Sequence, residues 1–191
     1  LGSKLFDGRS GAVFDTPAYA GEICHVRVDY AEDAPPCSCG GEGYLGGLSS
    51  GRGVVPAALR KAAADPRAFE ASLCCSKFGA SQTQITNEDH IVHEALDADR
   101  WALSLIRDSI RPLARALWMC VSCAGVQRIV LVGGFATALG DVYLDMLNEE
   151  LRVATDFGLF EAAAEGLVVL GDNQDVASLV GAHLCTRQRS G

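Results

Sequence analysis

The sequence predicts an α/β fold, and three observations carry that prediction. An apolar run, RIVLV at 128–132, closes on Gly133-Gly134. A second run, GLVVL, occupies 166–170. Helical patterns precede, separate and follow the two runs. Short apolar runs without polar alternation read as strands buried on both faces. Strands that alternate with helices indicate α/β architecture. The 191 residues are 49% hydrophobic and 21% charged, which is ordinary globular composition and enough for one real core.

Taken in order, residues 4–6 and 12–14 read as two short strands around the turn signals Asp7-Gly8 and Ser10-Gly11. Residues 23–29 alternate as a strand, with Ile23, His25, Arg27 and Asp29 on one side and Cys24, Val26 and Val28 on the other. From 35 to 53 the chain is so rich in glycine and proline that neither helix nor strand is expected. A loop of that length in a compact domain is functional or disordered. Residues 55–64 are Ala-rich and helical. Asp65-Pro66 resembles an N-cap followed by Pro at the first helical position, opening a helix through about Cys75. Residues 86–95 form another helix. Asp99 opens the longest one, where Leu103, Ile106, Ile110, Leu113, Leu117 and Val121 make one apolar face and Pro112 should bend or divide it. After the first apolar run a helix is expected over about 140–152. Asp175 caps a last helix through about Cys185.

Composition excludes several classes of function. The formal net charge is −8 and no Lys/Arg-rich run exists, so nothing suggests a nucleic-acid footprint or a membrane-surface patch in this stretch. No run of about 18 apolar residues could span a membrane, and residues 1–9 lack the pattern of a secretory signal. The eight cysteines are too sparse for a small disulfide scaffold. Cys120 and Cys123 read as buried thiols in a helix, and a reducing cytoplasm is the expected setting.

Two constellations could carry chemistry. The first is Gly21-Glu22-Ile23-Cys24-His25, followed by Cys37-Ser38-Cys39-Gly40. An imidazole and two thiolates are good zinc ligands, and Cys-x-Cys in a glycine-rich loop lets both sulfurs face one point. A closed structural site wants a fourth ligand, and the alternative is a pair of thiols in a loop. Glu22 and His25 are three apart, so a pure strand would send them to opposite faces and a bulge would bring them together. Together they could hydrogen-bond sugar-like hydroxyls; the alternative is a solvated Glu and a surface His. The second constellation is Gly133-Gly134 between a strand and a helix, where backbone N–H groups can meet a ligand. It is neither a P-loop nor a GxGxxG fingerprint. Glu161, Asp172 and Asp175 are carboxylates by type but read as solvated.

In combination these motifs resemble the ROK family, the repressors and sugar kinases of the actin-like ATPase (ribonuclease H-like) fold. The family's GEIGH element is matched at 21–25, with Cys24 in place of the second Gly. Its CxCGxxGCxE loop is matched from Cys37 to Gly43, and the following SG by Ser50-Gly51. Its adenosine motif is matched at 129–134, and its closing GAA helix resembles Gly181-Ala182-His183.

The resemblance implies the C-terminal lobe of such a protein: 1–53 as a substrate and zinc-loop region, and 54–191 as a helical and nucleotide-binding region. It implies that Glu22 and His25 contact substrate hydroxyls, that His25, Cys37 and Cys39 ligate zinc, and that Gly133 and Gly134 lie against ATP, which acts with Mg²⁺. It also implies a small-molecule sugar or cyclitol as partner and, in many members, a homodimer. Two positions depart from the pattern. Tyr44 stands where the third zinc Cys belongs. A phenol with pKa about 10 is a poor zinc ligand, so the metal is either absent or held by three protein ligands plus another group. Gly46 stands where a substrate-binding Glu belongs, which weakens recognition of a glucose-like substrate and points toward a modified sugar or a cyclitol.

The first phosphate motif and the Asp that takes the substrate hydroxyl's proton are expected upstream of Leu1, with Leu1-Gly2-Ser3 resembling the tail of the second phosphate motif. The N-terminal lobe would therefore be absent here, no catalytic residue would lie in this stretch, and the stretch alone would be inactive. The expected function is ATP-dependent phosphorylation of a sugar or cyclitol hydroxyl by the complete protein. The alternative is the sugar-sensing lobe of a ROK-type repressor.

Overall fold

The computed structural model describes residues 2–14, 17, 19–37, 39–155 and 166–171. The helix expected from Asp175, the Gly181–His183 motif and the carboxylates Glu161, Asp172 and Asp175 lie outside them. Among the described residues the order is β1 (Leu5–Asp7), β2 (Ala12–Phe14), a 3₁₀ turn (Ile23–His25), α1 (Leu45–Leu48), α2 (Gly51–Ala64), α3 (Pro66–Glu70), α4 (Leu73–Ser76), a π turn (Asn87–Ile91), α5 (Val92–Leu96), α6 (Arg100–Ala124), β3 (Ile129–Leu131), α7 (Gly134–Leu139), α8 (Asp141–Ala154) and β4 (Val168–Leu170). β1 and β2 pair antiparallel, and β3 and β4 pair parallel with Ile129 opposite Val168. A parallel pair needs a crossover, and α7 and α8 lie in it.

The core is built on α6. Asp99 caps it by accepting from the N–H groups of Trp101 and Ala102, and Gly125 ends it in the left-handed conformation at φ 66°. Leu105, Ile106, Ile110, Leu113 and Leu117 are buried along one face. They pack against Tyr143, Met146, Leu147 and Leu151 of α8 and Val54, Ala58 and Ala62 of α2. Each such aliphatic side chain contributes roughly 1.5–3 kcal/mol by burial. At the α6–α8 rim, Arg107 and Arg111 reach the nearly buried Glu150 at 3.1 and 3.4 Å.

Several elements differ from the sequence expectation. Pro112 does not divide α6: the helix runs unbroken through it, held by the packing on both of its sides. The helix expected from Asp65 to Cys75 is two short helices, because Ser72 adopts an extended conformation between them. The strand expected at 23–29 is a 3₁₀ turn followed by a single bridge between Arg27 and Tyr44. The loop at 35–53 contains α1 and the first turn of α2. There the Ser50 side chain accepts from the Gly53 N–H, a cap that starts the helix within the glycine-rich stretch. β3 is not buried on both faces: Ile129 and Leu131 pack against the core, while Val130 and, just after the strand, Val132 are 54% and 63% exposed. α7 is an additional short helix beginning at Gly134. Cys120 is half-buried and Cys123 exposed, since the last turns of α6 extend past the packed face.

Candidate functional site

The N-terminal region folds back on itself through the Ser3 side chain. The Ser3 hydroxyl donates to the Gly21 carbonyl and accepts from the Ile23 N–H at 3.2 Å. These bonds pin the segment before the 3₁₀ turn. Within the turn, His25 N–H donates to the Glu22 carbonyl and Val26 N–H to the Ile23 carbonyl. Residues three apart eclipse in such a turn, so Glu22 and His25 share a side. This does what a bulge in a strand would have done. The Cys24 Sγ sits between them, 3.4 Å from Glu22 Oε2 and 3.5 Å from His25 Nδ1.

Glu22 is held from behind. Lys4 Nζ donates to its Oε1 at 2.5 Å. That bond, with help from Cys24, keeps the Glu22 carboxyl below the ordinary range. The side chain is therefore an ionised, acceptor-only group near neutral pH. Cys24 is buried, and burial followed by the neighbouring Glu22 carboxylate pushes its thiol up.

The glycine-rich loop is a small hairpin. Cys37 N–H donates to the Gly41 carbonyl, Gly40 N–H to the Cys37 carbonyl, and Gly43 N–H to the Pro35 carbonyl. Val28 and Asp29 N–H groups both donate to the Gly43 carbonyl, and Leu45 N–H to that of Val26, which lashes the hairpin to the segment after the turn. Gly43 has φ 66°, and a methyl group there would overlap the Asp29 carbonyl, so only glycine suits that position. The hairpin places Cys37 and Cys39 with their sulfurs 3.3 Å apart. His25, Cys37 and Cys39 have ligand atoms all within 4.8 Å of one another, and Glu22, Cys24 and His25 form a second such group. Tyr44 presents its ring edge-on to His25 at 5.8 Å, and its hydroxyl end rests against Gly41. Gly46 packs against Cys24, and a Cβ added there would lie 3.2 Å from the Cys24 carbonyl oxygen and 3.5 Å from its Cβ.

The second constellation follows β3, at Gly133-Gly134, and lies near the start of α2. Gly133 has φ 123°, and open space surrounds the position of a Cβ at both Gly133 and Gly134. The two constellations are linked through that start. Gly51, at the start of α2, lies against Phe135 of α7, and Asn87 Nδ2 donates to the Gly51 carbonyl at 2.6 Å. The Ser50-Gly51 motif is thus the joint between the cysteine loop and the glycine turn.

The structure brings His25 together with Cys37 and Cys39, and Glu22 together with His25, while Gly133 and Gly134 lie apart from both groups. Sequence reasoning missed Lys4, Asn87 and the central place of Cys24. Cys24 was the one with a signal, as a cysteine where the motif has glycine. Among the described residues no helix is long and apolar enough to cross a membrane.

Comparison with known proteins bears on family and fold. The family model described as "ROK family" matches residues 1–189. A C(7)-cyclitol 7-kinase of Streptomyces hygroscopicus subsp. limoneus is 43% identical over 182 residues, covering 95% of this chain and 51% of that protein. The chain therefore spans about half the length of the curated relatives it matches. Among solved structures, a ROK family glucokinase from Streptomyces griseus in complex with glucose and AMPPNP is 27% identical with a TM-score of 0.73, covering 88% of this chain and 52% of that one. A ROK hexokinase from Thermus thermophilus, 21% identical with a TM-score of 0.65 over 95% of this chain and 53% of its own, shares the fold. The turn, hairpin and glycine motifs and the family match lead to one conclusion: this chain belongs to the ROK family and has its actin-like ATPase fold.

Proposed function

We propose that the complete protein is an ATP-dependent kinase for a hydroxyl of a sugar-like polyol, with a C7 cyclitol as the favoured substrate class. The observation that carries the reading is the pairing of an ionised Glu22 with His25 on one side of a short turn, in a chain 43% identical to a cyclitol kinase. Glu22 accepts hydroxyl protons from the substrate and His25 adds a second polar contact. Bidentate polyol recognition of this kind orients the reacting hydroxyl and excludes analogues that lack the partner groups. Gly46 stands where the family motif has a carboxylate, and the missing carboxylate favours a ring whose hydroxyl pattern differs from glucose.

On this reading residues 1–53 form the substrate side and 54–191 the nucleotide side. The nucleotide lies against Gly133 and Gly134, where the absence of side chains lets the backbone approach it. The substrate oxygen bonds to the γ-phosphorus, the bond to the bridging oxygen breaks, ADP leaves, and the hydroxyl proton passes to a carboxylate base of the complete protein. Mg²⁺, when bound with the nucleotide, would supply charge neutralisation of the phosphates.

His25, Cys37 and Cys39 hold a zinc ion that shapes the substrate loop. Two thiolates and an imidazole are the donor chemistry zinc selects, and their clustering supports the assignment. A cytoplasmic setting suits it, since thiols stay reduced there.

The test is a thermal-melting screen of the full-length protein against hexoses and C7 cyclitols with a non-hydrolysable ATP analogue. The reading expects stabilisation by a cyclitol that deepens with nucleotide. Stabilisation by a sugar with no response to nucleotide would instead favour a sugar-sensing regulator.

A further inference from the structure

We propose that Cys24 is the fourth ligand of the metal held by His25, Cys37 and Cys39, giving a closed site of three thiolates and one imidazole. The proposal rests on the metal reading above and extends it to a residue that reading leaves out.

The geometry has three parts. First, the two potential ligand groups are not separate: they share His25. Second, two donor spacings approximate edges of one tetrahedron, while Cys24 does not cluster with both hairpin sulfurs where it stands. Bonds of about 2.3 Å to sulfur and about 2.0–2.1 Å to nitrogen set tetrahedral edges of about 3.8 Å for S···S and about 3.6 Å for S···N. The Cys24 Sγ lies 3.5 Å from His25 Nδ1, and the Cys37 and Cys39 sulfurs lie 3.3 Å apart. Two opposite edges of the tetrahedron are therefore present. Closure needs Cys24 to turn about its Cα–Cβ bond toward the hairpin. Third, the other occupant of the fourth position is poorly suited. Tyr44 offers a phenol whose hydroxyl end rests on Gly41, whereas a further thiolate matches the softness of the two already there.

The substitution pattern has the same sense. Sulfur is missing at Tyr44 and present at Cys24, so the ligand count is kept while its origin moves from the loop to the turn. Gly46 then has a structural reason: it packs directly on Cys24, and a side chain there would crowd the backbone that carries the ligand. Ligation also changes Glu22. In the structure the Cys24 thiol occupies Glu22 Oε2. Drawn onto a metal, Cys24 releases that oxygen as an acceptor for a substrate hydroxyl, so metal binding prepares the substrate side.

The experiment loads the purified full-length protein with Zn²⁺ or Co²⁺. X-ray absorption counts sulfurs on zinc, and the thiolate-to-cobalt charge-transfer band reports thiolates on cobalt. Cys24→Ser and Cys24→Gly are compared with Tyr44→Phe. The proposal expects three sulfurs in the wild type and two in both Cys24 variants. The cobalt band should fall by about one third, and zinc affinity by more than the roughly 10–100-fold that loss of an outer-shell partner costs. Tyr44→Phe should leave all three readings unchanged. Two sulfurs in the wild type, unaltered in the Cys24 variants, would overturn the role of Cys24 and leave the three-ligand reading intact. A protein that takes up no stoichiometric metal would overturn both.

Discussion

The cysteine hairpin and the helical body are held together by different means. In the body, α6 buries a continuous apolar face between α2 and α8. In the hairpin region the order comes from backbone hydrogen bonds between segments that bury little, such as those to the Gly43 carbonyl. The body is stabilised by area, so its sequence shows as periodicity. The hairpin is stabilised by conformation, so its sequence shows as glycines and as donors at set intervals. A change in the body should therefore cost stability first, and a change in the hairpin should cost function first.

The largest effect should come from breaking the body. Ile106→Ala, at a fully buried position of α6, should destabilise by about 2–5 kcal/mol in denaturant unfolding, with kcat/KM of the surviving folded protein near that of the wild type. Next comes the hairpin's conformational anchor. Gly43→Ala forces a methyl group against the Asp29 carbonyl and should displace the loop. A displacement near 1 Å costs on the order of 100-fold in kcat/KM, while the far-ultraviolet circular dichroism of the helices should barely change.

A third prediction concerns a buried charge in the body. Glu94 is fully buried, and burial pushes its carboxyl from 4.5 up to about 7, with the Cys74 thiol opposing the rise and Asp99 adding to it. Between those two values the folded state holds a proton that the unfolded state has released. Stability should therefore be greatest below about pH 4.5 from this group, and fall as pH rises toward 7. Glu94→Gln should flatten that slope, measured by urea unfolding at several pH values; an unaltered slope would remove Glu94 as its source.

The smallest effect is at Lys4. Its ion pair with Glu22 is half-exposed, and such pairs contribute about 0–1 kcal/mol to stability. Lys4→Ala should leave unfolding unchanged, raise the Glu22 pKa toward the ordinary range, and raise KM a few-fold through a looser carboxylate.

The same contrast explains what the sequence made legible. The α6 stripe, the Asp99 cap and the Asp65-Pro66 start were readable because each is a local pattern with a local cause. The 3₁₀ turn at 23–25 was not, because Ile-Cys-His-Val-Arg-Val alternates as a strand does. What turns it is Ser3, some 20 residues earlier. α7 was hidden by the glycines that open it. In the site, the residues that lie together as His25, Cys37 and Cys39 could be named from type and spacing. The links that arrange them could not: Lys4 behind Glu22, Gly51 against Phe135, and Asn87 bonded to Gly51 are contacts across distance in the chain. Cys24 stood in view as an odd residue in a motif, and only its two neighbours in space give it a role.

The most direct measurement of the central claim is steady-state kinetics of the full-length protein with ATP and a C7 cyclitol, comparing wild type with Glu22→Gln and His25→Ala. The account predicts ATP-dependent phosphorylation of a cyclitol hydroxyl, with kcat/KM reduced at least about 100-fold in each variant. Absence of turnover on every cyclitol and hexose tested, or unchanged kcat/KM in both variants, would contradict it.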